Sequence, residues 1–179
     1  WKHPSVFFAR SSSVVIWNPE HSVGFREGLR RNLIAHAGMF HYIGDANPRH
    51  NIPDAPMLSP IEGALLPLGL GAALLGGGVA GIVSLGWFLV MLLPGILTIE
   101  APQAYRTIGC LPGLFLLLGG GLELLSRLVA GPVPRPRRLL TGALLLLAVA
   151  IGAHGAVSYF RLQVTSALAW NEFQGVYNA

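Results

Sequence analysis

The 179 residues are 53% hydrophobic and 11% charged, whereas a soluble domain averages about 25% charged, so an ordinary soluble globular domain is excluded and a membrane protein is expected. The formal charge of +4 comes from cations scattered over several loops, with no interleaving of basic and aromatic residues, which excludes a nucleic-acid surface. The single cysteine, Cys110, lies in an apolar segment, forms no internal disulfide and says nothing of redox compartment.

The chain begins at Trp1 with no signal-peptide architecture, which reads as a portion of a longer protein. Trp1–Arg10 reads as a short helix near a membrane surface, with Pro4 suited to a first helical turn. Ser11–Trp17 reads as extended and is too short to span. Asn18-Pro19 or Ser22 supplies a cap for an amphipathic helix over Ser22–Met39. Phe25, Leu29, Leu33 and Ala37 recur at helical spacing there, with Arg26, Glu27, Arg30 and Arg31 turned elsewhere. Such helices lie in the interface plane. His36 and His41 near its end read as solvated or hydrogen-bonded rather than as metal ligands.

Gly44–Pro60, GDANPRHNIPDAPMLSP, is the most chemically loaded stretch: Asp45, Asn47, Arg49, His50, Asn51 and Asp54 fall between four prolines. Proline fixes φ and removes a donor, and it pushes the preceding residue out of the helical region, so a defined non-helical loop is expected. Ser59-Pro60-Ile61-Glu62 then reads as a helix start with a capping box and proline at the first position.

Four apolar segments follow: Ile61–Leu75, bent by Pro67; Ile82–Ile99, broken near its end by Pro94; Thr107–Leu125, with a Glu123–Arg127 pair at favourable spacing; and Leu139–Tyr159. Each approaches the length needed to cross ~30 Å of hydrocarbon. Glu100–Arg106 reads as a short polar loop, Leu128–Arg138 as a basic, proline-rich loop and Arg161–Ala179 as a polar tail. Arg127, Arg135, Arg137 and Arg138 place the loop between spans three and four in the cytoplasm. Gly44–Pro60, Glu100–Arg106 and the C-terminus then lie outside, while Arg26, Arg30 and Arg31 run against that rule. The expected architecture is all-α: residues 1–60 form an extracytoplasmic or interfacial cap with the polar loop, residues 61–160 a four-helix transmembrane region, and residues 161–179 an extracytoplasmic tail.

GDANPRHNIPDAPMLSPIEG, flanked by HPSVFFAR and VVIWNP before it and LVMLLPGILTIEAPQAYRTIGCLP and YFRLQ…AWNEFQGVYN after it, resembles the C-terminal half of prokaryotic GT-C membrane glycosyltransferases of the family 39-like, protein-mannosyltransferase-related kind. The resemblance covers nearly the whole chain. It implies a multi-pass enzyme of the cell membrane that moves a sugar from a polyprenyl-phosphate donor to an extracytoplasmic glycan, lipid or protein acceptor. It also implies that the catalytic carboxylate lies in a first extracytoplasmic loop outside this chain, which leaves the catalytic residue here unknown and the chain alone inactive.

Donor-phosphate contact is expected from Arg106, which precedes a long apolar segment at headgroup depth, and from Arg49 and His50. Arginine suits phosphate because its planar fork donates bidentately; the plainer reading of Arg106 is a helix anchor among lipid headgroups. Asp45 and Asp54 read either as contacts to sugar hydroxyls and orienters of Arg49 and His50, or as caps of turns within a self-satisfied loop. Asp45, His50 and Asp54 match no strong metal-binding spacing, and neither a metal nor a cofactor is expected. A transporter portion or a non-catalytic membrane scaffold is the alternative. Transport is disfavoured because Glu123 and His154 fall near segment ends and the segment middles are uncharged.

Overall fold

The computed structural model describes residues 13–18, 24–130 and 134–174. The first expected helix, Trp1–Arg10, lies outside them. Among the described residues the chain is helical with no strand. Within Ser11–Trp17, expected to be extended, Ser13 and Val14 are instead helical and Ile16 and Trp17 form a turn, and Val15 alone makes an isolated antiparallel bridge, to Thr98.

Helix α1, Phe25–Gly38, starts after Gly24 without a side-chain cap, so Asn18 does not serve as the cap; Ser22, the other expected cap, lies outside the described residues. The helical period is as the sequence indicates, and the face packed on the bundle is a polar one. Gly28, Asn32 and His36 are buried, while Phe25 and Leu33 are 47% and 48% exposed. The reason lies in the partner, the end of helix α3 (Gly78–Ile96). The last carbonyls of a helix lack intrahelical donors, and α1 supplies them. Asn32 Nδ2 donates to the carbonyl oxygen of Ile96 at 2.8 Å and also to that of Thr98. An Arg31 guanidinium N–H donates to Ile99 O at 3.2 Å, and Ile16 N–H donates to Leu97 O at 3.1 Å. A polar stripe therefore faces inward, because there the bundle presents backbone oxygens rather than hydrocarbon.

Helix α2, Pro60–Leu75, carries the expected capping box, with Ser59 N–H on Glu62 Oε2 at 2.9 Å and Glu62 N–H on Ser59 Oγ at 3.4 Å. Pro67 lies inside α2 and lacks the N–H that would reach the Gly63 carbonyl four residues back. His41 fills the gap, donating from Nε2 to Gly63 O at 2.8 Å. The missing side chain at Gly63 permits this approach, since a Cβ there would sit 3.1 Å from His41 Cδ2.

A short helix α4, Ala104–Thr107, runs through a 3-10 turn, Ile108–Cys110, into α5, Leu111–Ala130. Helix α2 packs most closely on α5. A Cβ on Gly69 would meet the Leu117 carbonyl oxygen, and one on Gly121 the Leu65 carbonyl oxygen; small residues let helix backbones approach this closely. Around this crossing Leu66, Phe88, Leu92, Leu114, Leu117 and Leu118 form the core with Met39 and Phe40 from the end of α1. The Glu123–Arg127 pair forms as expected, at 2.8 Å.

Helix α6, Pro134–Ser158, passes through a π turn, Tyr159–Gln163, and is followed by α7, Ala167–Gln174. Two expected loops are thus shorter than their composition suggests. Residues 128–130 continue α5, residues 134–138 open α6, where proline is well placed at the start of a helix, and residues 104–106 are helical at the end of Glu100–Arg106.

Among the described residues three helical stretches are long and apolar enough to cross a membrane: Gly78–Ile96, Ala104–Val129 and Gly142–Leu162. The first expected span is shorter. Pro60–Leu75 has 16 residues, about 24 Å at 1.5 Å per residue. His154 lies two positions past the middle of Gly142–Leu162 rather than near a segment end, so the charge-placement argument against transport weakens.

Candidate functional site

The polar loop is non-helical throughout and is tied at one end of the bundle. Met57 N–H and Leu58 N–H donate to Met39 O and Phe40 O, and Gly44 N–H and Asp54 N–H pair with Asp54 O and Asp45 O. Pro48 sits second in a turn that opens at Asn47 and closes with His50 N–H on Asn47 O at 2.9 Å, a favourable place for proline. Two side chains wind the same turn: Asp45 Oδ1 takes Asn47 N–H at 2.8 Å and Asn47 Oδ1 takes Arg49 N–H at 3.0 Å.

Asp45 is the keystone of the site. Its side chain is buried, and besides the turn it accepts two bonds on Oδ2: His50 Nδ1–H at 2.9 Å and the backbone N–H of Ala104 at 2.8 Å. The second bond joins the loop to the first turn of α4. His50 then stacks on Tyr105, with ring centroids 5.5 Å apart and planes 21° apart. Donation to Asp45 fixes the tautomer at Nδ1 and leaves Nε2 without a partner among the described residues.

Arg49, His50 and Tyr105 border a cavity of ≈ 360 Å³. Its remaining wall is largely apolar, with Phe40, Met57 and Leu58 on the loop side and Leu111, Leu114 and Phe115 from α5; Glu62 also reaches it, its carboxylate held by Ser59 N–H. The cavity thus has Arg49, His50 and the Glu62 carboxylate toward the loop and is hydrocarbon-like along the long apolar helix.

The other two expected site residues stand apart. Arg106 is half-buried, does not line this cavity, and makes no hydrogen bond or ion pair among the described residues. The helical turn at Ala104–Thr107 presents Tyr105 to His50 and carries Arg106 to another side. Asp54 is exposed, with φ of 62°, a left-handed conformation that aspartate tolerates. Its role is to turn the chain, and it reaches neither Arg49 nor His50. Of the alternatives for the two aspartates, Asp45 both orients His50 and caps a turn, and Asp54 only turns the chain.

The sequence did not single out Tyr105, Gln103 or the Ala104 N–H. Their only signal was adjacency to Arg106 in EAPQAYR, and the 59-residue separation from Asp45 hid the connection. His36 was read as solvated or hydrogen-bonded and is the latter. It is 1% exposed, donates from Nδ1 to Asn32 O at 2.8 Å and accepts Gln103 N–H on Nε2 at 3.4 Å. Burial holds its pKa below the ordinary histidine value, outweighing the opposing effects of the bond to Asn32 O and the charge of Asp45.

No family model matches the chain, and neither a curated protein nor a solved structure matches it.

Proposed function

We propose that this chain is the donor-side part of a multi-pass GT-C glycosyltransferase of the cell membrane, which takes a sugar from a polyprenyl-phosphate carrier and passes it to an extracytoplasmic acceptor. The observation that carries this reading is the cavity between the polar loop and the long apolar helix. Arg49 and His50 stand at one end of it and Leu111, Leu114 and Phe115 at the other. A lipid phosphate has the complementary form, an anionic head on a hydrocarbon chain. The Arg49 guanidinium forms charge-assisted bonds to phosphate oxygens, His50 adds an Nε2–H donor in its imidazolium form while Nδ1–H stays on Asp45, and the apolar wall takes the first isoprenoid units out of water.

In this proposal Arg49 and His50 hold the phosphate, Asp45 orients His50, and Arg106 flanks the cavity as a cation at headgroup depth. The resemblance assigns the catalytic carboxylate to another part of the enzyme, so turnover belongs to the whole protein and donor binding to this part. Pro60–Leu75 acts as a fourth, short span, and the polar loop faces outside. The second reading, transport, has one observation in its favour, the exposed His154 near the middle of Gly142–Leu162.

Photo-crosslinking tests the first reading. The chain is reconstituted in lipid and irradiated with a diazirine-bearing polyprenyl phosphate, and the labelled peptides are mapped. Labelling concentrated in 49–58 and 105–115 is expected. Labelling spread evenly over the lipid-facing helices contradicts it. Proton or solute flux into vesicles that is abolished by His154→Ala would favour transport.

A further inference from the structure

The loop has a second side. Another cavity, of ≈ 450 Å³, is bordered by Arg31, Asp45, Asn47, Glu100 and Gln103. Its volume is in the range of ligand pockets, about 300–1,000 Å³, and its wall is polar where the first is apolar.

The partners of these groups are largely fixed. Asn47 Oδ1 is taken by Arg49 N–H, one Arg31 guanidinium nitrogen by Ile99 O, and Glu100 Oε2 by Gln103 Nε2–H at 2.8 Å. That leaves two donors, Asn47 Nδ2 and the rest of the Arg31 fork, and two acceptors, Glu100 Oε1 and Gln103 Oε1, without partners among the described residues. Gln103 is the telling one: it is 7% exposed, and a buried amide oxygen with no donor is uncommon. Its backbone is pinned by His36, and the next residue by Asp45, so the wall is preorganised.

The chemistry narrows the ligand. An anion would meet the Asp45 and Glu100 carboxylates, and a simple cation would meet Arg31. No group of three His, Cys, Asp or Glu able to hold a metal occurs among the described residues. Alternating donors and acceptors suit hydroxyl groups, each of which gives one hydrogen bond and accepts others. We infer that this cavity is a saccharide-binding subsite, separate from the phosphate cavity and linked to it through Asp45, which borders this one and holds His50 and the Ala104 N–H of the other. As the acceptor subsite of a transferase it rests on the function proposed above; as a saccharide site it stands on the cavity alone.

The test uses the full chain in lipid nanodiscs, with methyl β-glucopyranoside and methyl α-mannopyranoside as probes in saturation-transfer NMR. Farnesyl phosphate binding is measured on the same samples. Saturation transfer to at least one glycoside's ring protons is expected, above that of empty nanodiscs. Glu100→Ala changes an exposed side chain, and Gln103→Leu keeps the buried volume; each is expected to weaken binding about five- to tenfold, the size of one lost hydrogen bond. Arg26→Ala, at an exposed position of α1 that borders neither cavity, should leave glycoside binding unchanged. No transfer from either glycoside, displacement of the glycoside by inorganic phosphate, or unchanged affinity in a Glu100→Ala protein of wild-type melting temperature would each overturn the inference. Failure of farnesyl phosphate alone to bind would count against the donor reading and leave this site standing.

Discussion

The carboxylate of Asp45 accepts the backbone N–H of Ala104 at 2.8 Å across 59 positions of sequence. Through that bond the polar loop sits against the start of the longest apolar stretch, Ala104–Val129, and the same carboxylate aims His50. Both cavities exist because this one buried group joins the two segments that border them.

Asp45→Asn tests the keystone with minimal change of shape. The amide offers one accepting oxygen where the carboxylate offers two, so at least one buried N–H loses its partner. We expect a loss of about 2–4 kcal/mol in stability, since each unsatisfied buried group costs about 1–3 kcal/mol and more when a charge is involved. Denaturant unfolding in detergent measures the loss, and tryptic cleavage at Arg49 should accelerate. Unchanged stability together with unchanged cleavage would remove Asp45 from this role.

His41 and Pro67 are expected to be coupled through the Gly63 carbonyl. His41→Ala leaves that oxygen without a donor, at a cost of about 1–3 kcal/mol. Adding Pro67→Ala restores an N–H four residues on and should recover most of the loss, giving an interaction energy of about 1 kcal/mol or more in a double-mutant cycle. Strict additivity of the two substitutions would mean that His41 does not serve the proline gap.

His36 sets a pH dependence. Its folded pKa lies below the ordinary value of 6.5 because burial disfavours the charged ring. The unfolded chain therefore binds more protons below that value, and stability rises with pH in that range. Full stability is expected above about pH 7 and a progressive loss as pH falls through 6.5 toward the lowered folded value. His36→Gln should flatten the curve in that window. A wild-type curve that is flat there, or that falls with rising pH, would contradict the assignment.

Gly69 and Gly121 bring α2 and α5 together. Gly69→Leu cannot be absorbed by a rotamer change, because the Cβ itself meets backbone. A loss of about 3 kcal/mol or more is expected, at the upper end of overpacking costs. Gly119→Leu, on α5 two residues before Gly121, has open space around its Cβ and should cost less than about 1 kcal/mol. Comparable losses in the two variants would place the helix crossing elsewhere.

Local chemistry made much of this fold legible in the sequence. Ser59, Pro60 and Glu62 announce a helix start because all three signals lie within four residues, and the prolines of Gly44–Pro60 rule out helix there. The packed face of α1 was not legible. Hydrophobic spacing favours Phe25 and Leu33, whereas the partner surface is a helix end whose carbonyls call for Asn32 and Arg31. Arg106 lies outside the Arg49–His50 cavity for a related reason: four residues of helix turn it away from His50 and put Tyr105 there instead. Asp45 was in view as a site residue, but its bond to Ala104 depends on tertiary proximity that no local pattern encodes.

Equilibrium binding of farnesyl phosphate, with farnesol as the uncharged comparison, tests the donor cavity most directly. The full chain in nanodiscs should prefer the phosphate. Arg49→Ala should weaken phosphate binding about tenfold to hundredfold, the equivalent of a charge-assisted bond of about 1.5–3 kcal/mol, while leaving farnesol binding unchanged. Arg106→Ala, outside the cavity, should have the smaller effect. Equal affinity for the two ligands, or a preference for phosphate that survives Arg49→Ala intact, would contradict the account.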